Sequence, residues 1–479
     1  MMSPNLLKEY PFTPRIINSV RMKRAAIFAA DAQLRESKKT LEEEMPWLKV
    51  DIYHDPQAVL ADRASGPCVF LFDDTGLAIA DTKKIRAAHQ DAVLVLVSFH
   101  PLVHCSPPQV ASQKYPYTAR ADLVFAASRD EFAPQKILPA VVRAAEDRLN
   151  IGKNSGIRRY IFHIVDDEPR WFSQFLPVLY NIIGQRADVM ISRTYEESLA
   201  FLFDVPKNSH IDGRNYLSRG RGDDVVCLIA DIFFPRGREQ QSQAGRDLIR
   251  LVNRYYPRIP VIIASQAKEA SELKDSGFIL PKGDPGSLAK LKQYILDLTG
   301  LGDFLILDRD GREIHRAKNI HDFCLLLEAA GTDTPRGKLL REILGSYGEK
   351  DRFSTWLYMH GYRELGDRLR PLRKKGRPLI SLLKRNFQAE IARMERTPLI
   401  IDGHKIFSLA DLQASLRSLS PDQIQPFSDN DIISSWLDRK GYPELAEALR
   451  PIHGSGPQLG RTLAQIVGEW TTIYQSRGL

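Results

Sequence analysis

The sequence predicts an α/β chain: two doubly wound parallel-sheet domains in tandem, followed by an α+β region that repeats itself. Short apolar runs ending in polar residues recur through residues 21–300, separated by stretches long enough for helices, as a parallel sheet requires. Beyond residue 300 a block of sequence returns in recognisable form. The chain has 479 residues, enough for about three or four domains, each with its own core.

The N-terminal tail, residues 1–20, opens with MMSPNLLKEYPF and lacks the apolar core of a signal peptide. No apolar run reaches the length of a membrane span, so a cytoplasmic protein without membrane contact is expected. Four scattered cysteines (Cys68, Cys105, Cys227, Cys324) have no metal-ligand spacing and read as reduced thiols.

In residues 21–150 the runs AAIFAAD, CVFLFDD, AVLVLVS and ADLVFAAS predict strands, with Asp31, Asp73, Asp74 and Ser98 at or beside their ends. In residues 157–300, YIFHIVDDEP places Asp166 and Asp167 at the end of a run. VVCLIADIFFP likewise delivers Asp231, PVIIAS delivers Ser265 and GFILPK delivers Lys282. Polar residues at the C-terminal ends of neighbouring parallel strands converge on one rim of the sheet, where open α/β folds place their sites. Asp and Ser also end strands for purely local reasons, but five such positions in order exceed that expectation. His163, inside its strand, reads as packed. A polar stretch from about Asp204 to Asp224, and a loop of Gly, Arg and Gln after Pro235, are long enough to be functional or disordered.

The C-terminal region repeats. FSTWLYMHGYRELGDRLRPL, from Phe353, returns as IISSWLDRKGYPELAEALRPI, and upstream FLILDRDGREIHRAKNIHDFCLLLEA answers PLIIDGHKIFSLADLQASLRSL. Asp310-Gly311 and Asp402-Gly403 are hairpin turn signals. The predicted units are residues 301–375, residues 396–455 and a C-terminal helix in 456–479. Phe323, Leu326, Trp356, Leu357 and Leu365 should form the first core, with Gly361 and Gly441 ending helices in left-handed caps. Nothing there has a catalytic pattern, and a tandem of small units suits presentation of a surface to a partner.

The acidic pair, the lone aspartate, the hydroxyl and the lysine resemble the phosphoacceptor site of bacterial response-regulator receiver (CheY-like, flavodoxin-like) domains, over residues 157–300. The resemblance implies Asp231 as phosphoacceptor. It also implies Mg²⁺ held by Asp166, Asp167, Asp231 and the backbone carbonyl of Phe233, Lys282 as fixed countercharge, Ser265 as donor to the new phosphoryl oxygen, and Phe278 as the aromatic switch. Pro235, four residues after Asp231, matches the family's acceptor-loop proline. A carboxylate attacking a phosphoryl group works against its own charge, so a cation must neutralise the oxygens, and Mg²⁺ with its hard oxygen ligands suits that task. Gln266, where a small residue is usual, and the order Pro281-Lys282 depart from the family pattern.

Residues 21–150 look like a degenerate pseudo-receiver: Asp31 stands alone, Asp73 or Asp74 takes the acceptor position and Ser98 the hydroxyl. No lysine closes the set, because the last run ends in Ala126, Ala127 and Ser128. A docking or dimerisation module is expected, with small-ligand sensing at the same rim as the alternative. The receiver plus the W-L, E-L-x-x-x-L-R-P module is also similar to the regulatory part of bacterial proteins that join a receiver to a phosphoenolpyruvate synthase or pyruvate phosphate dikinase-like enzyme. No Gly-rich phosphate loop or phosphohistidine domain is present in this sequence, so any such phosphotransferase is expected as a separate partner.

These readings combine into a two-component response regulator, phosphorylated on Asp231 by a sensor histidine kinase or other phosphodonor. It would not be an enzyme beyond its own phosphorylation and dephosphorylation, and would switch protein interactions through the repeats. One rival is a phosphorylation-independent scaffold or adaptor. Another follows from the net charge of +8, concentrated in residues 336–396 with a local excess of roughly nine bases. That stretch would suit nucleic acid and a transcriptional regulator, although the repeats carry no helix-turn-helix signature and the densest run, RPLRKKGRPLISLLKR, falls where a solvated linker is expected. A homodimer and an internal pairing of the two receiver-like domains are both compatible with the sequence.

Overall fold

The computed structural model describes residues 20–61, 66–89, 91–101, 103, 116–153, 160–184, 186–204, 220–237, 239–266, 268–308, 312–370, 372–452 and 456–476. Residues 1–19 of the tail, Cys105, residues 205–219 of the polar stretch and the Asp310-Gly311 turn lie outside them. The chain divides into two compact units at Lys292 and Gln293.

The first unit holds two parallel five-stranded sheets. Strands β1 (Arg24–Phe28), β2 (Lys49–Tyr53), β3 (Cys68–Phe72), β4 (Ala92–Ser98) and β5 (Leu123–Ala126) lie in the order β2-β1-β3-β4-β5. In the second domain β6 (Ile161–Val165), β7 (Asp188–Ser192) and β8 (Val225–Ala230) are followed by a small antiparallel hairpin, β9 (Phe234–Arg236) and β10 (Glu239–Gln241). Strands β11 (Val261–Ser265) and β12 (Phe278–Pro281) complete the sheet β12-β11-β8-β6-β7. Numbered within each domain, both sheets have strand order 2-1-3-4-5, the doubly wound arrangement with its crevice at the point where strand order reverses. Strands β3, β4, β6, β8 and β11 are buried throughout, which is why they read as continuous β-branched and aromatic runs.

Strands β2 and β7 were not announced by such runs. KVDIY and DVMIS are edge strands with half-exposed positions, so their apolar content is diluted by alternation. The loop expected after Pro235 is the β9-β10 hairpin, turning at Gly237 with φ of +66°.

Helices α1 (Ala32–Glu44), α2 (Pro56–Ala61), α3 (Asp74–Ile79), α4 (Thr82–Ala88) and α5 (Pro134–Lys153) belong to the first domain. Helices α6 (Pro169–Ile183), α7 (Tyr195–Phe203), α8 (Ser242–Tyr255) and α9 (Ser287–Thr299) follow the strands of the second. Between β11 and β12 the described residues include a 3₁₀ turn, Lys268–Leu273. Pro169 opens α6 at a position where its missing N–H costs nothing. Phe172, Phe175, Leu176, Leu179 and Ile183 then recur at helical spacing and are buried.

The two sheet domains dock through β5 and α5 of the first and α6 and β7 of the second. Phe125 meets Phe172 edge to face, and the Ala126 amide donates to Ser173 Oγ at 3.1 Å. Fully buried Asp147 on α5 accepts from Tyr180 Oη at 2.9 Å and from the Val189 amide at 2.8 Å.

The second unit is a tandem repeat. Copy one has the hairpin β13 (Phe304–Leu307) and β14 (Glu313–Ala317), then α10 (Ile320–Gly331), α11 (Pro335–Glu349), α12 (Arg352–Met359), α13 (Arg363–Arg368) and α14 (Gly376–Arg396). Copy two has β15 (Leu399–Ile401) and β16 (His404–Ile406), then α15 (Leu409–Ser418), α16 (Pro421–Asp429), α17 (Ile432–Arg439), α18 (Pro443–Leu449) and α19 (Leu459–Ser476). The repeating unit is therefore longer than residues 301–375 and 396–455: α14 packs on α10 as α19 packs on α15. The basic run is correspondingly no simple linker, because its second half opens α14, whose Leu379, Leu383 and Phe387 join the core of copy one. Phe323, Leu326, Trp356, Leu357 and Leu365 lie in that same core. Burial of each such side chain contributes about 1.5–3 kcal/mol.

The turns explain the repeated motifs. Gly361 and Gly441 have φ of +78° and +92°. The amides of Tyr362 and Tyr442 reach back to the carbonyls of Leu357 and Leu437, and those of Gly361 and Gly441 to Tyr358 and Asp438, completing a Schellman closure in each copy. Asp402 and Gly403, with φ of +47° and +82°, make the two-residue hairpin turn that Asp-Gly favours. Asp351 and Asp431 both adopt left-handed φ just before α12 and α17, and Arg370 of the first L-R-P pairs with Asp351 at 2.8 Å. The copies meet through the His360 ring, with Nδ1 2.5 Å from Asp438 and Nε2 3.0 Å from the Gly302 carbonyl.

Candidate functional site

The strand order sets the site. Strands β6, β8, β11 and β12 end on the same rim, and the residues that close or follow them are Asp166-Asp167, Asp231, Ser265 and Lys282. All five are buried, between 1% and 9% exposed. Burying three carboxylates is costly unless they are paired and hydrogen-bonded, and the contacts supply that compensation. Lys282 Nζ lies 2.5 Å from Asp166 Oδ2 and 2.6 Å from Asp231 Oδ2. Ser265 Oγ donates to Asp231 Oδ1 at 2.7 Å, and the Ile232 amide donates to the same oxygen at 2.6 Å. Phe233 stands in the loop after β8, its amide 3.4 Å from Asp231 Oδ1.

Burial pushes the Asp166 carboxyl up to about 8, against the pull of Lys282, and the Asp167 carboxyl up to about 7, with the Asp231 charge adding to the rise. Burial alone would lower the Lys282 ammonium, but Asp166 and Asp231 hold it above its ordinary value. The rim thus gathers three carboxyl groups around one lysine. Its hard oxygen donors fit a divalent cation such as Mg²⁺ in kind. As they stand they form no cage: among the described residues no three His, Cys, Asp or Glu side chains are grouped to hold a metal, and the Lys282 ammonium lies between Asp166 and Asp231.

Phe278 is not brought to this cluster. It opens β12 opposite Ile262, at the far end of the strand from Lys282, and is 36% exposed. Gln266 is exposed beside the turn after Lys282, its amide nitrogen 3.4 Å from where a Cβ on Gly283 would lie. Pro281 closes edge strand β12 opposite Ser265, and the Lys282 amide still donates to the Ser265 carbonyl at 3.2 Å. The reversed Pro-Lys order therefore leaves the lysine inside the cluster. His163 is fully buried with Nε2 2.9 Å from Ser192 Oγ, and burial pushes its ring down to about 3.

Two residues at the rim were not anticipated. Arg193 follows β7 and donates to the Asp167 carbonyl from Nη2 at 2.9 Å; recognising DVMIS as a strand would have pointed to it. Trp171, in the first turn of α6, sets its ring 5.6 Å from Lys282 Nζ and donates its indole N–H to Glu168 at 2.7 Å.

The rim of the first domain is organised differently. Asp31 caps α1 through the Leu34 amide. Asp73 caps α3, its oxygens taking the Gly76 and Asp31 amides at 2.6 Å each. Asp74 accepts from Ser98 Oγ at 2.8 Å and from Tyr117 at 3.3 Å. A cation is present after all. Arg129, one residue beyond the Ala-Ala-Ser that ends the last run, pairs with Asp31 at 2.7 Å. These carboxylates are committed to helix caps and internal partners.

Seven of the sixteen bases in residues 336–396 pair with carboxylates. Arg341 and Arg377 pair with Asp333, Arg370 with Asp351, Lys375 with Glu349, Lys384 with Glu328, and Arg368 and Arg393 with Glu390. Among the described residues no helix is long and apolar enough to cross a membrane. Cys68 and Cys227 are buried and Cys324 half-buried, all as free thiols.

No family model matches the chain, and no curated protein matches it. Among solved structures it aligns with NtrX from Brucella abortus in complex with ADP, at 10% identity over 96% of this chain and 100% of that one, with a TM-score of 0.20. A likeness at that level carries no inference about fold or function.

Proposed function

We propose that the second sheet domain is a response-regulator receiver that accepts a phosphoryl group on Asp231, and that the C-terminal repeats carry the resulting signal to a protein partner. The observation that supports this reading is the cluster in which Asp231 is held by Ser265 on one oxygen and by Lys282 on the other. In the reaction an Asp231 carboxylate oxygen forms the new bond to phosphorus while the bond from phosphorus to the donor's leaving atom breaks, an imidazole nitrogen for a phosphohistidine or an oxygen for acetyl phosphate, giving an acyl phosphate. Lys282 and Ser265 then face the added phosphoryl oxygens as ammonium and hydroxyl donors, the charge-assisted contacts suited to that charge. Asp166 and Asp167 are the residues that would hold Mg²⁺, with Asp231 and the Phe233 carbonyl completing the protein's share. When bound, that ion supplies positive charge against the phosphoryl oxygens.

A second reading is favoured by one contact. Lys282 already bridges Asp166 and Asp231, so the same cluster could serve as a fixed ionic core in a scaffold that is not phosphorylated. Nucleic-acid binding has less support, because the repeats carry no helix-turn-helix signature and seven of the sixteen bases in residues 336–396 already face carboxylates.

Intact-mass analysis after incubation with acetyl phosphate and Mg²⁺ separates the first two readings. A phosphoryl adduct that is absent from Asp231→Asn supports the receiver. No adduct, together with no stabilisation by Mg²⁺ and beryllofluoride, leaves the scaffold.

A further inference from the structure

The two copies in the second unit correspond residue by residue. Phe304 faces Ala317 and Ile306 faces His315 in the first hairpin, while Leu399 faces Ile406 and Ile401 faces His404 in the second. Asn319 and Ser408, each two residues beyond the last inward position, cap the helix that follows. Leu305 therefore corresponds to Ile400, Arg316 to Lys405, and Lys318 to Phe407. Because side chains alternate along a strand, these residues form the outward face of each hairpin.

In copy one that face is covered in part. Leu305 is 9% exposed, and Arg316, directly opposite it, reaches Glu313 at 3.0 Å and Asp297 on α9 and Asp303, each at 3.3 Å, while Lys318 stays exposed and pairs with Glu444 at 3.1 Å. In copy two the same face is bare. Ile400 is 52% and Phe407 50% exposed, Lys405 between them is exposed, and among the described residues no carboxylate pairs with it. A single exposed apolar side chain needs no explanation. Two on one face, flanking a cation whose counterpart binds carboxylates, form a patch with defined chemistry.

We propose that the outward face of the β15-β16 hairpin is a docking surface for a helical segment of another protein, apolar on the docking side and carrying a carboxylate that meets Lys405. The chemistry of the occupant comes from the first copy, where Asp297 on α9 is one of the carboxylates, with Asp303 and Glu313, that meet Arg316. The exchange of Lys318 for Phe407 makes the face of copy two more apolar than that of copy one, as suits burial against a partner rather than solvent. The inference involves neither Asp231 nor the sheet rim, so it stands or falls independently of phosphorylation.

The probe is a fluorescent peptide with the sequence of residues 287–303, stapled within its helical part, residues 287–299, which carries Asp297, and ending in Asp303, added to the full chain and followed by anisotropy. Saturable binding is expected, weakened about tenfold or more by Lys405→Glu and by Phe407→Asp. A peptide carrying Asp297→Lys should recover binding to Lys405→Glu. All substituted positions in the protein are exposed, and unchanged thermal unfolding would confirm that the fold is kept. Absence of saturable binding, or equal binding to both variants, overturns the proposal. So does concentration-dependent self-association in sedimentation that Phe407→Asp abolishes, because the occupant would then be a second copy of this chain.

Discussion

Lys282 Nζ stands 2.6 Å from Asp231 Oδ2 across the width of β11, and the same ammonium closes on Asp166. One cation thus restrains two buried carboxyl groups. Replacing it with Met should leave both without their cation and cost about 3–5 kcal/mol of stability at neutral pH. Urea unfolding with and without MgCl₂ would measure it, and magnesium should restore part of the loss. A variant as stable as the parent without magnesium would mean that the ion pairs contribute nothing net.

His163 gives a pH signature. Burial holds its ring down to about 3, whereas the unfolded chain titrates near 6.5. A depressed pKa means that the unfolded state takes up the proton first, so this stabilising contribution is complete above about pH 6.5 and erodes as pH falls toward 3. Relative to His163→Gln, the parent should lose about 2 kcal/mol of unfolding free energy between pH 7 and pH 5. Parallel pH profiles for the two proteins would contradict the neutral, buried imidazole.

Asp147 joins the sheet domains by taking the Tyr180 hydroxyl and the Val189 amide. Asp147→Ala should strand a buried amide and cost about 2–4 kcal/mol. The two domains should then unfold in separate calorimetric transitions; a single cooperative transition at reduced temperature would show that apolar packing alone keeps them coupled.

Between the repeats, Asp438 meets His360 at 2.5 Å. Asp438→Ala should cost about 1.5–3 kcal/mol, with faster amide exchange at the Gly361 and Gly441 turns of both copies. Exchange that changes in only one copy would argue against a shared tether.

Asp166, Asp231, Ser265 and Lys282 were legible because each follows an uninterrupted apolar run, and buried parallel strands fix where their ends point. Arg193 and Arg129 were not. The first follows an edge strand whose alternation hides it, and the second lies in a loop whose path no periodicity reports. Phe278 was misleading for a related reason: its place before Lys282 in sequence resembles a switch position, while the register puts it opposite Ile262 at the other end of the strand. The repeats disclosed their turns and cores through matching Trp, Gly and Leu, and the C-terminal helix was expected, but neither α14 nor the place of α19 as its counterpart was, because α14 and α19 share a packing role with little matching sequence.

The docking of the two sheet domains also bears on solubility. Strands β5 and β7 end their sheets, and such strands offer unpaired amides to any passing chain. Here the Ala126 amide is taken by Ser173 and the Val189 amide by Asp147, with α6 lying against β5 and α5 against β7. Each domain thereby shields the edge through which the other would recruit strands and aggregate. A fragment beginning after residue 157 should precipitate more readily than the whole chain, even where its own core is intact.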